Sequence, residues 1–317
     1  MEPGNQTPVT EFVLEGLPNT RQFPSLFFLL FVLLYLLTLL GNALTLLTVL
    51  SNARLHALPM YCFLGHLSML DACLSSLVVP QLLVHLLVEE KTISLVACAA
   101  QMYVFTIMGL TECCLLAGMA YDRYVAICRP LHYATIMSGR ACVLLAGASW
   151  VIGITMEVAK TMWIFSLPFC GSNRIPHFFC DVEPVRKKAC TDTWKIEILG
   201  HFVSGLFIMS PFLLILLSYI LIICTILRLP SAESRHKAFS TCSSHLMVVT
   251  LFYGTGLIIY LMPKSSSTLE TDQMISLLNT IVSPLLSPII YTLRNKEVKG
   301  AFRKTGSLAL PQTPSPL

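Results

Sequence analysis

Long apolar stretches, separated by short segments that hold most of the charged residues, dominate the chain. No Asp, Glu, Lys or Arg lies between Arg21 and Arg54, and three stretches in the C-terminal half are equally free of charge. Three further stretches carry only one or two charges. Because a helix needs about 20 mostly apolar residues to cross a bilayer, the pattern predicts seven transmembrane helices, at residues 25–50, 58–86, 95–127, 141–165, 197–228, 237–262 and 271–293.

The composition also indicates a membrane protein. Of the 317 residues, 55% are apolar and 12% are charged, whereas a soluble domain usually has about 25% charged residues. A soluble globular, a disordered and a fibrous protein are therefore excluded. The apolar stretches are continuous rather than short and alternating, which favours helices over transmembrane strands. The sequence predicts an all-α membrane protein, with a seven-transmembrane bundle at residues 25–293 between terminal segments at residues 1–24 and 294–317.

Basic residues predict the orientation of this bundle, because Lys and Arg concentrate in cytoplasmic loops. With the C-terminus inside, the inner segments hold twelve Lys or Arg against three Asp or Glu, and the outer segments hold eight against eleven. We therefore expect the N-terminus outside, where Asn5 is a candidate glycosylation site. The basic amphipathic pattern after Arg294 predicts a short helix on the inner membrane surface, followed by a tail. The net charge of +4 is too small and dispersed to indicate a nucleic-acid partner.

Motifs at the ends of the predicted spans carry a resemblance to a known family. Residues 119–128 read MAYDRYVAIC and are followed by PLHY at 130–133, and the first inner loop reads LHALPMY at 55–61. Span 6 opens with KAFSTCSSHL at 237–246, and span 7 ends with PLLSPIIY at 284–291. In this order and at this spacing, the motifs resemble those of the olfactory (odorant) receptors, which are rhodopsin-like G-protein-coupled receptors.

The resemblance implies a receptor in the plasma membrane, surrounded by membrane lipid, that binds a small and mostly hydrophobic odorant within the bundle. It also implies activation of a heterotrimeric stimulatory (olfactory) G protein, which raises cyclic AMP. Two alternatives stay open: a receptor of this family that acts outside the olfactory epithelium, and a multi-span transporter, although the two related halves typical of transporters are not apparent. No enzyme is predicted, because the sequence has no catalytic motif of the GxSxG or HExxH type.

The resemblance assigns G-protein coupling to Arg123 and its neighbours Asp122 and Tyr124, at the inner end of span 3. In similar receptors the neighbouring acid holds this arginine at rest, and the arginine then swings toward the G protein. Tyr219 and Tyr291, on spans 5 and 7, are similar to the tyrosines that support the arginine after it has moved. From the residues alone, Asp122 and Arg123 equally fit an interfacial ion pair.

Asp71 and Glu112 lie near the middle of spans 2 and 3, where an ionisable residue is costly and is a candidate for function. The resemblance places the two acids opposite each other. Two carboxylates in a low dielectric do not readily both ionise, so either one is protonated within a hydrogen-bonded pair or a sodium ion lies between them. Both alternatives stay open, and no other cofactor or metal is predicted.

Glu157 and Lys160 are the charged residues within span 4. Their i, i+3 spacing brings them together on one face of a helix. A self-neutralising ion pair is the simpler expectation, and contact with a polar ligand is the alternative.

Four cysteines, Cys98, Cys170, Cys180 and Cys190, belong to the predicted outer side, where the environment is oxidising and disulfides form. The sequence alone allows three pairings of four cysteines. The resemblance implies that Cys98 pairs with Cys180 and that Cys170 pairs with Cys190, which would hold the loop at residues 166–196 over the bundle.

A candidate ligand pocket lies outward of the mid-membrane acids and beneath this loop. Its predicted lining is apolar and aromatic, which suits a small, neutral odorant. The same helical spacing also fits ordinary core packing. The candidate residues are Phe105, Thr106, Gly109 and Leu110 on span 3, Phe202, Val203, Leu206 and Phe207 on span 5, Tyr253, Gly256, Leu257 and Tyr260 on span 6, and Leu277 and Thr280 on span 7.

Overall fold

The computed structural model describes residues 9–17, 20, 22–52, 58–88, 91–191, 194–261 and 269–294. The predicted glycosylation site at Asn5 and the predicted inner helix and tail beyond Arg294 lie outside the described residues. The long helices have the bounds Pro24–Ser51 (α1), Pro59–Leu87 (α2), Leu95–Cys128 (α3), Gly139–Ser166 (α4), Trp194–Leu227 (α5), Ala232–Leu261 (α6), Leu269–Leu277 (α7) and Ser283–Arg294 (α8). A π-helix at Leu278–Val282 joins α7 to α8.

These helices form the seven-transmembrane bundle. Within the described residues, six helical regions are long and apolar enough to cross a membrane, the last of them running from α7 through the π-helix into α8. The further helix, α6, has 30 residues but begins with a polar turn that includes Glu233, Arg235 and Lys237. Each span predicted from the charge pattern overlaps one of these helical regions.

Local sequence explains where several helices begin. Pro24 and Pro59 occupy the first positions of α1 and α2, where the missing N–H of proline costs no hydrogen bond. Ser94 and Ser138 precede α3 and α4, and each hydroxyl accepts a hydrogen bond from the backbone N–H three residues later, at 3.2 and 3.3 Å. Such caps satisfy an N–H group that would otherwise lack a partner at the end of a helix.

Helix α3 lies at the centre of the bundle, in contact with α2, α4, α5 and α6. Its side chains Leu115, Leu116 and Met119 are almost completely buried in the main core cluster. The two ends of α3 define the two ends of the molecule. We call them the disulfide end, where Cys98 is bonded to Cys180, and the Arg123 end.

A small sheet, which the sequence analysis did not predict, covers the disulfide end. Strand β1 (Glu11–Leu14) pairs antiparallel with β2 (Thr92–Ser94) and parallel with β3 (Arg174–Ile175). Phe12 and Leu14 of β1 are buried against the top of α3 and the loop that follows α4. The N-terminal segment is therefore part of the cover over this end of the bundle.

Gly153 allows α4 to pack tightly against α3. A Cβ atom built at this position would overlap the Thr111 hydroxyl and lie 3.1 Å from the carbonyl oxygen of Ile107. Because the carbonyl belongs to the backbone of α3, a larger residue would force the two helices apart.

We expect Gly153→Val to destabilise the receptor by about 1–3 kcal/mol, the usual cost of overpacking a core. The matched control is Gly147→Val on the exposed face of α4, where an added Cβ would meet nothing within 4 Å. Thermal unfolding of both purified variants in detergent measures the difference. Equal melting temperatures for the two variants would show that this helix contact is not tight.

Candidate functional site

Two disulfides fix the loop between α4 and α5. Cys98, in the first turn of α3, is bonded to Cys180, and Cys170 is bonded to Cys190, which is the pairing that the resemblance implies. The backbone N–H of Cys180 also donates to Oε1 of the buried Gln101 side chain on α3, at 3.0 Å. The loop is therefore attached to α3 by a covalent bond and a buried hydrogen bond.

Phe178 and Phe179, just before Cys180, extend from this loop into the bundle, and both are buried. The ring centroid of Phe179 lies 4.8 Å from that of Phe105 on α3, so the loop contacts the predicted ligand pocket. Neither residue was among those predicted from the sequence to line the pocket. The signal that was available is an aromatic pair directly beside a cysteine expected to be bridged.

Gln273 connects α7 to this cover. Its buried amide donates to the carbonyl oxygens of Gly16 and Pro176, each at 3.2 Å. One side chain thus joins the N-terminal segment, the loop and the bundle, a link between distant residues that the sequence pattern does not reveal.

The pocket residues predicted on α3 lie beneath Phe179. Leu110 is buried, and Phe105, Thr106 and Gly109 are partly buried. The Thr106 hydroxyl donates to the Met102 carbonyl within its own helix, at 2.9 Å. A Cβ atom built on Gly109 would meet nothing within 4 Å, so there is open space beside α3 at this depth.

On α5, the predicted pocket face needs a correction. Phe202 and Leu206 are 69% and 56% exposed and lie on the outer surface of the helix, so the prediction that they line the pocket is wrong. Val203 and Phe207 are partly buried. The inward face instead carries Ile215, which is 1% exposed. Because apolar residues occupy every face of α5 beyond its first turn, its sequence does not reveal which face points inward.

On α6, Tyr253 is buried, and its ring centroid lies 4.8 Å from that of Phe212 on α5. The Thr255 hydroxyl contacts the Asn279 side chain of the π-helix, a polar link from α6 that the sequence analysis did not predict. Gly256, Leu257 and Tyr260, also predicted for the pocket, belong to α6, but their burial and side-chain contacts lie outside what the structure describes.

In the last span, Leu277 is partly buried against the cluster that includes Phe178 and Phe179. Thr280 is completely buried, and its hydroxyl donates to the Ser276 carbonyl at 2.7 Å. π-Helical turns inside α-helices are frequent at functional sites, and this one lies beside the predicted pocket.

Asp71 and Glu112 are brought together in the middle of the bundle. They are 4% and 5% exposed, and their carboxyl groups are close enough to interact electrostatically. Ser287 of α8 lies beside Asp71 and is also buried. Asp71 on α2 thus has a buried carboxyl group of α3 and a buried hydroxyl of α8 nearby, and oxygen ligands suit a hard cation such as sodium.

A cavity of about 830 Å³ opens at the Arg123 end. It lies between α2, α3, α6 and α8, and Arg123 reaches it from α3. Of the other residues predicted for coupling, Asp122 and Tyr291 line the cavity, whereas Tyr219 and Tyr124 do not. Its lining includes Met60, Tyr61, Asp122, Arg123, Tyr133, Glu233, His236, Lys237, His245 and Tyr291.

Buried hydrogen bonds stabilise the wall of this cavity. The Tyr219 hydroxyl lies 2.7 Å from Nδ1 of His245, which joins α5 to α6. Tyr291 is buried and donates weakly to the Met119 sulfur, at 4.0 Å. Tyr124 is partly buried beside Tyr121.

Arg123 is not held by Asp122 in this structure. The Asp122 carboxylate accepts a hydrogen bond from the Tyr133 hydroxyl at 2.8 Å, while the Arg123 guanidinium contacts the Met60 sulfur. Burial, followed by the nearby Asp122 carboxylate, raises the pKa of Tyr133, so this phenol stays protonated and donates. Among the described residues, no carboxylate lies within ion-pair distance of Arg123.

A helical bundle with a disulfide-linked cover at one end and an arginine-lined cavity at the other defines a G-protein-coupled receptor. A sequence model of the family described as "Olfactory receptor" matches residues 31–307, and the chain belongs to that family. It is therefore an odorant-sensing receptor and a multi-pass protein of the plasma membrane. This family is not a class of enzymes.

Curated relatives agree with this assignment along almost the whole chain. Olfactory receptor 10A4 of Homo sapiens is 50% identical over 301 residues, which cover 95% of each chain. Olfactory receptor 10C1 of Homo sapiens is 49% identical, over 97% of this chain and 98% of the relative. Olfactory receptor 1M1 of Mus musculus is 45% identical, over 96% and 97%.

Proposed function

We propose that a small, mostly hydrophobic odorant binds between the helices beneath Phe179, and that the Arg123 cavity receives a stimulatory G protein that raises cyclic AMP. The observation that carries the proposal is the open cavity around an arginine that pairs with no described carboxylate. A G protein must enter the bundle at such a place. The aromatic contact between Phe179 and Phe105 supports an apolar ligand site at the opposite end.

We infer that the disulfide end faces the outside of the cell. Disulfides form in oxidising compartments and are rare in the cytosol. The two bridges therefore support an outer location for the loop and an inner one for Arg123. The excess of Lys and Arg predicted for the inner segments points to the same orientation.

An odorant panel tests this function in cells that carry the receptor, a stimulatory G protein and a cyclic AMP reporter. We expect at least one apolar odorant to raise cyclic AMP in a concentration-dependent way. Purified receptor in nanodiscs should then accelerate nucleotide exchange on the G protein with the same odorant. Flux of a solute without nucleotide exchange would instead support a transporter.

We further propose that Asp71, Glu112 and Ser287 hold a sodium ion. The support is their shared burial in the middle of the bundle, where two neighbouring carboxyl groups without a cation cannot readily both be charged. A hydrogen-bonded pair with one protonated carboxyl is the competing arrangement, and it requires no sodium.

Replacing sodium by choline should change the basal nucleotide exchange of the wild-type receptor, and Asp71→Asn should remove that dependence on sodium. Loss of one carboxylate weakens the cation site, whereas a protonated pair would not respond to sodium at all. Glu11→Gln, which removes an exposed carboxylate of β1 at the opposite end of the molecule, is the control. Equal basal exchange of the wild type in both salts would rule out the sodium site.

A further inference from the structure

An ion pair lies inside the membrane-spanning part of α4. Nζ of Lys160 is 2.5 Å from Oε2 of Glu157, and the two side chains are 22% and 9% exposed. Among the residues that the structure describes, Glu157 is the ion-pair partner of this ammonium group. The hydroxyl of the neighbouring Thr161 is buried and has no described hydrogen-bond partner. Charges and unpaired hydroxyls are costly inside the membrane. The presence of Glu157, Lys160 and Thr161 together therefore indicates that this cluster has a function.

The cluster lies at the depth of the ligand pocket. Toward the Arg123 end, Gly153 contacts Ile107 and Thr111 of α3. Toward the disulfide end, Ile164 belongs to the same buried cluster as Met102 of α3. Glu157 and Lys160 fall between these two contacts, at the level of residues 103–106 of α3, which include the pocket residues Phe105 and Thr106.

The direction in which the Lys160 side chain extends also argues against a lysine that only reaches to water at the membrane surface. A lysine near the end of a transmembrane helix usually extends its ammonium group to the nearest water. Here the ammonium group turns back by one helical turn to Glu157, toward the Arg123 end and the interior of the bundle. Intramembrane charges almost always face the bundle interior or a polar cavity, and 22% of the Lys160 side chain stays exposed, which leaves part of it for a ligand to contact.

The charges of the pair determine which ligand fits. An ammonium group has three N–H donors, more than its ion pair with Glu157 needs. A neutral acceptor such as a carbonyl oxygen can take another without adding charge. A carboxylate would place two negative groups on one positive group, which leaves a net charge in a low dielectric and is unfavourable.

We propose that Lys160 donates a hydrogen bond to the carbonyl oxygen of a neutral odorant, an aldehyde, ketone or ester, and that Glu157 excludes carboxylic acids. This inference rests on the proposed function of the bundle as an odorant site. It names the class of ligand and identifies two residues that select it. Glu157 acts through charge, and Lys160 touches the ligand.

Thermal stabilisation of the purified receptor in nanodiscs tests the inference. The probes are octane, octanal, 2-octanone and octanoate, with toluene, benzaldehyde and benzoate as a second scaffold. For the wild type we expect each carbonyl compound to stabilise the receptor at a lower concentration than the hydrocarbon or the acid of the same scaffold. The difference should be about 10-fold or more, because the carbonyl oxygen accepts a hydrogen bond from a charged donor.

Three variants separate the roles of the two residues. Glu157→Gln should strengthen binding of octanoate or benzoate about 10-fold or more, because Lys160 is then free to pair with a carboxylate. The double variant Glu157→Gln with Lys160→Met should keep the fold, since no charge is left unpaired, and should lose the preference for carbonyl compounds. The matched control is Glu183→Gln with Lys187→Met, which removes an exposed ion pair of the loop, 3.1 Å long, and should change neither preference.

The inference is overturned if no carbonyl compound stabilises the wild type better than its hydrocarbon, or if the preference survives in the double variant. It is also overturned if Glu157→Gln gains no affinity for the acids. Odorant-dependent cyclic AMP responses to other compounds would then leave the proposed function intact. Absence of any response across the odorant panel would instead contradict the proposed function itself.

Discussion

Receptors with Arg123→Ala are expected to reach the cell surface at nearly the wild-type level and to give no cyclic AMP response to odorant. Arg123 is partly buried at the cavity, and its guanidinium contacts Met60 rather than a carboxylate. Its removal breaks no ion pair among the described residues, so the fold should tolerate the change. The lost interaction is with the G protein, where a charged hydrogen bond contributes about 1.5–3 kcal/mol, or about 10- to 100-fold in affinity.

Flow cytometry of a tagged receptor and a cyclic AMP reporter measure the two outcomes in the same cells. Arg140→Ala is the matched control, because Arg140 is exposed in the first turn of α4 at the same end of the bundle. This control should keep both expression and signalling. A full response from Arg123→Ala would remove the basis for assigning coupling to this cavity.

Charge was the most informative sequence property for the fold, for a physical reason. A charged side chain in hydrocarbon is so costly that the gaps between charges mark the helices even without any periodicity. The same cost explains why the intramembrane ionisable residues Asp71, Glu112, Glu157 and Lys160 were recognised as exceptional from the sequence alone.

The inward face of a transmembrane helix was harder to predict, because lipid and protein interior are both apolar. On α3, the polar residue Glu112 marks the inward side, and the predicted residue Leu110 is buried. On α5 the charged residues Lys195 and Glu197 lie only in the first turn and mark no side of the apolar part, and the choice of Phe202 and Leu206 was wrong. Only packing against neighbouring helices decides this face.

Contacts between distant segments were also beyond the sequence pattern. The four residues of β1 are too few to show a clear alternation. Their pairing with β3 depends on a loop that is fixed by disulfides, and their pairing with β2 depends on the segment between α2 and α3. At the other end, the adjacent residues Asp122 and Arg123 suggest a local pair. In the structure, the Asp122 carboxylate instead accepts a hydrogen bond from the Tyr133 hydroxyl. Sequence adjacency does not reveal this tertiary contact.

We expect the largest loss of surface expression from Cys98→Ser. Cys98 and Cys180 are both completely buried, and their bond closes a chain segment with a sequence separation of 82 residues. Closing a loop of that length stabilises a protein by about 4–5 kcal/mol in the chain-entropy model. The bond also holds Phe178 and Phe179 in the bundle, so its loss should remove the odorant response of any receptor that does reach the surface.

Breaking the second disulfide should cause a smaller loss of surface expression than breaking the first. Cys170 and Cys190 are separated by only 20 residues, and the same model gives about 3 kcal/mol, so Cys170→Ser should reduce expression less. Cys73→Ser, at a free and exposed cysteine, is the control and should have no effect. The double variant Cys98→Ser with Cys180→Ser lacks the bond but leaves no unpaired thiol that could mispair. If loss of the bond is the cause, this double variant should be as poorly expressed as Cys98→Ser. Wild-type expression and response in the double variant would mean that the cover over the ligand site holds without its covalent attachment to α3.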